Sequence, residues 1–309
     1  MPAVPAVTPA AVHRPFGAVL TAMATPFTRD GALDVPAAQA LAERLVDDGN
    51  DGLVVAGTTG ESPTLAEHEH DTLLAAVVEA VGSRAHVVAG CGNNDTDHTL
   101  RRARAAEKTG VDGLLVVTPY YNKPPQEGLY QHFLAVADAT GLPVMLYDIP
   151  GRAATAISTE VLLRLAAHPR VVAVKDAKDD LFASSQVMAA AGGEGGLAYY
   201  SGSDQLNLAH LAQGAAGMVS VVSHVAAAEY AQMVAAVDAG DLPTARALHA
   251  RLLPAVTAIM TRTQGAIMVK AALELLGAVP NRHVRLPLVE ATDEQVEQLA
   301  ADLRGAALL

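Results

Sequence analysis

Eight short apolar runs, recurring about every 30 residues between segments with helical punctuation, restrict this chain to very few architectures. They are residues 18–23, 52–56, 86–90, 113–117, 143–147, 171–175, 197–201 and 217–221. Most are apolar throughout instead of alternating, which is the pattern of parallel strands covered on both faces. Between them, Asp34 and Pro36 open a helix that Gly49 closes, Thr64 and Glu67 have capping-box spacing, and Gly82, Gly110 and Gly141 stand at helix ends. Eight strands, each followed by a helix, predict an α/β chain folded as a (β/α)8 TIM barrel. An open doubly wound sheet normally has fewer strands and carries a phosphate or dinucleotide fingerprint, which this sequence lacks.

The barrel pattern occupies residues 16–225. From 226 to 309 the periodicity turns helical, over 226–239, 242–260, 264–277 and 293–304, and predicts an appended C-terminal helical layer. Residues 1–15 read as a disordered or loosely attached tail: Pro2, Pro5 and Pro9 interrupt any helix, and a signal peptide's basic start and continuous apolar centre are missing. No apolar stretch runs for the roughly 20 residues that span a bilayer, so a soluble protein is expected. With 51% hydrophobic and 17% charged residues the chain can close a large core. Its net charge of −12, with dispersed basic residues, disfavours nucleic acid as a partner. A single cysteine, Cys91, allows neither an internal disulfide nor a thiolate metal site; it reads as a small buried hydrophobe in a cytoplasmic protein.

In such a barrel the carboxyl ends of all eight strands meet at one face. Lys175 closes the apolar run Val171-Val172-Ala173-Val174, which sets a primary amine at that face. Apolar walls disfavour an ammonium, making the neutral amine available to attack a carbonyl. The plainer reading is a strand-end lysine reaching for solvent, and the neighbours decide against it. Gly57-Thr58-Thr59-Gly60-Glu61-Ser62 is a strand-to-helix loop whose backbone N–H groups suit a small carboxylate; it lacks the Gly-Lys-Ser/Thr ending that a nucleotide phosphate calls for. Tyr147 and Tyr121 place phenols at strand ends in a chain with only 4% aromatics, and a hydroxyl relay through Thr58 and Tyr121 would let Tyr147 shuttle protons. Arg152, after a Pro-Gly turn, presents a fork matched to a carboxylate. Taken singly, each has a bland reading as a turn residue, a buried tyrosine or a solvated arginine. Glu67-His68-Glu69-His70 resembles a metal motif, yet consecutive helical residues point about 100° apart and cannot converge on one ion. Asp47-Asp48 and Asp179-Asp180 fit a helix end and a helix start. Gly192-Gly193-Glu194-Gly195-Gly196 is a loop, and Lys178 is expected beyond the barrel mouth.

Four motifs in order, Gly57-Thr58-Thr59-Gly60-Glu61, Tyr120-Tyr121-Asn122, Tyr147-Asp148-Ile149-Pro150-Gly151-Arg152 and Val174-Lys175-Asp176, resemble the dihydrodipicolinate synthase and N-acetylneuraminate lyase superfamily over nearly the whole chain after the tail. The resemblance implies a homotetramer of barrels, built from dimers, that condenses pyruvate with L-aspartate 4-semialdehyde in lysine biosynthesis without metal or organic cofactor. It implies that Lys175 forms the Schiff base and that Tyr147 is the general acid/base. Thr58 and Tyr121 would complete the relay, Tyr121 reaching into a neighbouring subunit. Thr59 would hold the pyruvate carboxylate, main-chain groups at Gly202 and Val219 would line the pocket, and Arg152 would bind the aldehyde's carboxylate. Ala153 departs from the usual Ser or Thr. In the region that binds feedback lysine in some members, His70, Asn94 and Tyr120 match, while Glu67 and His98 stand where a histidine and a glutamate are typical, so lysine inhibition does not carry over. One rival is another pyruvate-imine aldolase or dehydratase acting on 2-keto-3-deoxy sugar acids, against which Arg152 argues. A metal-dependent barrel hydrolase would want His-x-His near the first strand, which ends Thr21-Ala22-Met23. A noncatalytic small-molecule-binding barrel would not need Lys175, Tyr147, Thr58 and Tyr121 together.

Overall fold

The computed structural model describes residues 12–193 and 195–309. Its strands are β1 (Val19–Ala22), β2 (Gly52–Val55), β3 (His86–Gly90), β4 (Gly113–Val117), β5 (Val144–Asp148), β6 (Val171–Asp176), β7 (Ala198–Ser201) and β8 (Gly217–Ser220). Each falls on one of the expected apolar runs. All pair in parallel, and β8 returns to β1 through Val19 with Met218 and Leu20 with Val219, closing a TIM barrel. The strand side chains are nearly all buried, because helices cover the outside and facing strands fill the inside. Closure presses β8 against the residue before β1: a Cβ on Gly217 would lie 1.9 Å from the Ala18 carbonyl oxygen, so only glycine lets the strands meet.

The covering helices are α1 (Val35–Asp47), α2 (Glu67–Val81), α3 (Thr96–Glu107), α4 (Gln126–Asp138), α6 (Thr159–Ala166), α7 (Leu181–Ala191), α8 (Asn207–Ala212) and α9 (Ser223–Asp238), with a single turn, α5 (Pro150–Ala153), directly after β5. Side chains of Asp34, Asp95, Ser158 and Asp180 accept backbone N–H groups at the starts of α1, α3, α6 and α7, each cap contributing about 1 kcal/mol. The start of α2 differs from expectation. Thr64 ends a short 3-10 turn and donates to the Glu61 carbonyl, and it is Glu69 that reaches back to the Ala66 N–H at 3.0 Å. Pro63 supports that tighter turn, and the helix cap moves two residues on, from Thr64 to Ala66.

Beyond the barrel, α10 (Leu242–Met260), α11 (Gly265–Leu275) and α12 (Asp293–Gly305) pack on one another. Periodicity alone groups residues from 226 onward with this layer, but α9 packs on β1 and β8 as well as on α10 and supplies the barrel's eighth covering helix. Its backbone is broken at Ala226 (φ −142°, ψ 31°). The barrel floor is sealed by Tyr200, whose hydroxyl donates to the Gly17 carbonyl at 2.9 Å beside buried Phe16. Residues 1–11 of the expected tail lie outside the described residues, whereas Arg14 donates to the Ala216 carbonyl at 2.7 Å and pairs with Asp238 at 2.9 Å. Among the described residues no single helix is both long and apolar enough to cross a membrane; α10 and α11 meet both conditions only together, as a pair bent by 113°.

Candidate active site

Parallel register sets the central pair. Tyr147 on β5 stands opposite Lys175 on β6, and Lys175 opposite Tyr200 on β7. Residues in register share a face, and successive residues alternate faces. Tyr200 reaches the barrel floor, while its neighbour Tyr199 stacks on His210 of the external helix α8 at 5.8 Å. Lys175 and Tyr147 therefore face the barrel interior, and Asp176 and Asp148 face the helices. Lys175 is 5% exposed and Tyr147 4%, and the Lys175 Nζ lies 4.1 Å from the centre of the Tyr147 ring. Among the described residues Nζ has no hydrogen-bond or carboxylate partner. The Tyr147 carbonyl is pinned by the N–H and hydroxyl of Thr118, at 2.9 and 3.0 Å. Gly202 closes the other side, where a Cβ would lie 2.9 Å from Lys175 Cγ, so the glycine is what admits the lysine stem. Val219 is buried on β8.

Above this layer opens a cleft of about 640 Å³, lined by Thr58, Tyr121, Arg152 and Ala153 among others. Tyr147 and Lys175 are not in its wall; the cleft reaches their layer at Val117, the register partner of Tyr147. Thr59 is buried in the loop after β2, and Thr58 accepts the Glu61 N–H at 3.2 Å. Arg152 on α5 projects from the mouth with no carboxylate partner among the described residues. Tyr121, expected to reach into a neighbouring subunit, stands clear of the other relay residues of its own chain. Its backbone is left-handed (φ 75°) and its side chain is 88% exposed, so within one chain its phenol joins neither Tyr147 nor Thr58. Two other clefts, of about 370 and 590 Å³, lie beside α7 and at the amino ends of the strands, away from these residues.

Lys178 corrects an expectation outright. It does not lie beyond the mouth: its side chain is buried behind the barrel wall, 3.1 Å from Asp148 and 3.5 Å from Asp176. Asp176 also takes the Tyr199 hydroxyl and the Lys178 N–H, and Asp148 takes the Ile157 N–H at 3.1 Å. Burial raises the Asp148 carboxyl to about 6, with Lys178 opposing the rise. Sequence reasoning missed this network, although one signal was available: carboxylates directly after Tyr147 and Lys175 must, by alternation, be buried on the opposite face and need a cation.

The remaining motifs take ordinary partners. His70 bonds the Gly90 carbonyl at 3.0 Å, and Glu69 pairs with Arg285. Glu67 and His98, in exchanged positions, still meet at 3.4 Å. Cys91 is buried, and desolvation pushes its thiol up to about 12.

Comparison with known proteins agrees with this fold. The model of the dihydrodipicolinate synthetase family matches residues 15–306. The chain is 64% identical over 304 residues to the 4-hydroxy-tetrahydrodipicolinate synthase of Kineococcus radiotolerans, spanning 98% of this chain and 97% of that one. A dihydrodipicolinate synthase from Cyanidioschyzon merolae, solved with lysine bound, superposes with a TM-score of 0.92 at 39% identity, over 96% of this chain and 100% of that one. A chain described as a monomeric dihydrodipicolinate synthase variant superposes with a TM-score of 0.91 at 37% identity, over 96% and 98%.

Proposed function

The chain belongs to the dihydrodipicolinate synthetase family, and from that membership we infer that it is a lyase condensing pyruvate with L-aspartate 4-semialdehyde to 4-hydroxy-tetrahydrodipicolinate, on the route to diaminopimelate and lysine. The observation that carries a residue-level reading is the Lys175 amine buried 4.1 Å over the Tyr147 ring, beneath a cleft bearing Thr58 and Arg152. In this reading the unprotonated Lys175 amine adds to the pyruvate ketone. Tyr147 passes the protons that let the carbinolamine lose water as a protonated imine. The imine withdraws electrons, so the methyl group loses a proton and becomes an enamine carbon that attacks the aldehyde. The amino group of the second substrate then closes the ring and displaces Lys175. The imine is itself the electron sink, so the chemistry calls for no cofactor.

Thr59 and the loop N–H groups hold the pyruvate carboxylate, with Gly202 and Val219 lining the pocket. Arg152, with no carboxylate partner among the described residues, takes the carboxylate of the aldehyde. A 2-keto-3-deoxy sugar acid lacks a group in that place, so Arg152 favours the aldehyde as second substrate. Tyr121, exposed in a single chain, completes the relay in a neighbouring copy, which makes a dimer the catalytic unit and a homotetramer built from dimers the working assembly. The cytoplasm suits its single buried thiol. Arg152→Ala is expected to raise the KM for aspartate semialdehyde about 10- to 100-fold, the scale of a lost charge-assisted pair, with imine formation from pyruvate unchanged. A coupled assay with each substrate varied separately tests this, and loss of pyruvate binding in that variant would contradict the role.

A further inference from the structure

The loop carrying Thr58 and Thr59 is held from the far end of the chain. Glu61 lies in the left-handed region at φ 55°, which a non-glycine residue keeps only where its surroundings over-determine it. Its N–H donates to the Thr58 carbonyl at 3.2 Å, and its own carbonyl accepts from the Thr64 N–H at 2.9 Å. One carboxylate oxygen meets the Lys270 ammonium from α11, and the other accepts the Arg285 N–H at 2.9 Å. Lys270 also donates to the His283 carbonyl at 2.7 Å, and the Phe27 ring lies 4.2 Å from its Nζ and 4.1 Å from the Arg285 guanidinium. The Lys270 and Glu61 side chains are only 2% and 1% exposed.

A buried ion pair is a poor source of stability, since desolvation of both ions offsets their attraction. What this pair does supply is geometry, because it joins α11 to a residue whose left-handed backbone turns the loop just after Thr58 and Thr59. We propose that Glu61 and Lys270 are positioning residues, a buried strut by which the C-terminal helical layer aims Thr58 and Thr59 at the substrate carboxylate and so sets affinity for the keto acid. This rests on the role given above to Thr59.

The test is borohydride trapping of pyruvate on the intact protein, with adduct measured against pyruvate concentration. Adduct on wild-type Lys175 checks the underlying reading separately; its absence there would overturn that reading, whatever the strut does. In the double variant Glu61→Gln/Lys270→Met, neutral side chains of similar length replace the pair and leave no lone buried charge. It is expected to reach the wild-type adduct level at saturating pyruvate, but to need about tenfold more pyruvate for half of it. A half-saturation within about twofold of wild type would overturn the proposal. A second arm does not depend on that variant. Burial lowers the Lys270 ammonium to about 8 against the opposing pull of Glu61, with Arg285 and Glu290 the other charges facing it. Proton loss above that value breaks the strut. Half-saturation for wild type should therefore rise between about pH 7 and about pH 9.5 relative to Lys270→Arg, whose guanidinium keeps its charge. Parallel profiles for the two proteins would contradict the strut.

Discussion

At the residue scale the account depends on how little freedom Lys175 and Tyr147 have. The lysine stem is confined by Gly202 on one side and the Tyr147 ring on the other, so the amine is preorganised where a ketone would meet it. Removing only the phenolic oxygen separates chemistry from packing. Tyr147→Phe keeps the ring beneath Nζ and is expected to fold normally and still trap pyruvate, while kcat falls about 10²- to 10⁴-fold, the usual weight of a positioned acid/base. Steady-state kinetics beside thermal melting checks this, and near-wild-type kcat would remove Tyr147 from the proton path. Lys175 was legible in the sequence because an amine ending an all-apolar run is rare enough to mean something. Lys178 was not, because its meaning comes from Asp148 and Asp176, one of them 30 positions away in the chain and brought near only by the pairing of β5 with β6.

At the element scale, the Asp148–Lys178–Asp176 network ties the ends of β5 and β6 together behind Tyr147 and Lys175. Its pH signature follows from Asp148. The folded carboxyl sits at about 6, above the ordinary value of 3.8, so the native chain holds that proton more tightly than the unfolded one. Its contribution to stability is full below about pH 4 and is lost as pH rises through about 6. Asp148→Asn cannot titrate, so its Tm relative to wild type should climb between about pH 4 and about pH 6 and then level off. A difference in Tm that stays flat across that window would contradict the burial of a titrating group there. The eight strands were legible because apolar runs covered on both faces leave a continuous signal. Local punctuation was less reliable. The Thr64–Glu67 spacing suggested a cap, yet the 3-10 turn at Pro63 moved the cap to Ala66 and gave Glu69 that role. The place of α9 in the barrel, and the hold of α11 on Glu61, are tertiary facts with no periodicity to announce them.

At the scale of the whole molecule, Tyr121 is the informative residue, since its side chain is 88% exposed at the edge of the cleft. If it serves a neighbour's site, two inactive proteins can repair each other. Tyr121→Phe and Lys175→Ala, dissociated and reassociated together, should recover activity, because a mixed dimer contains one site with an intact lysine and an intact phenol. No recovery from confirmed mixed oligomers would place Tyr121 outside the relay. In the proposed function, Arg152 in the cleft wall and the loop set by Glu61 serve one covalent event at Lys175. The most direct measurement of that event is mass spectrometry of the folded protein after pyruvate and borohydride. The account predicts a single reduced pyruvyl adduct, localised by fragmentation to Lys175, and none on Lys178 or Lys270; an unmodified Lys175, or an adduct on another lysine, would contradict it.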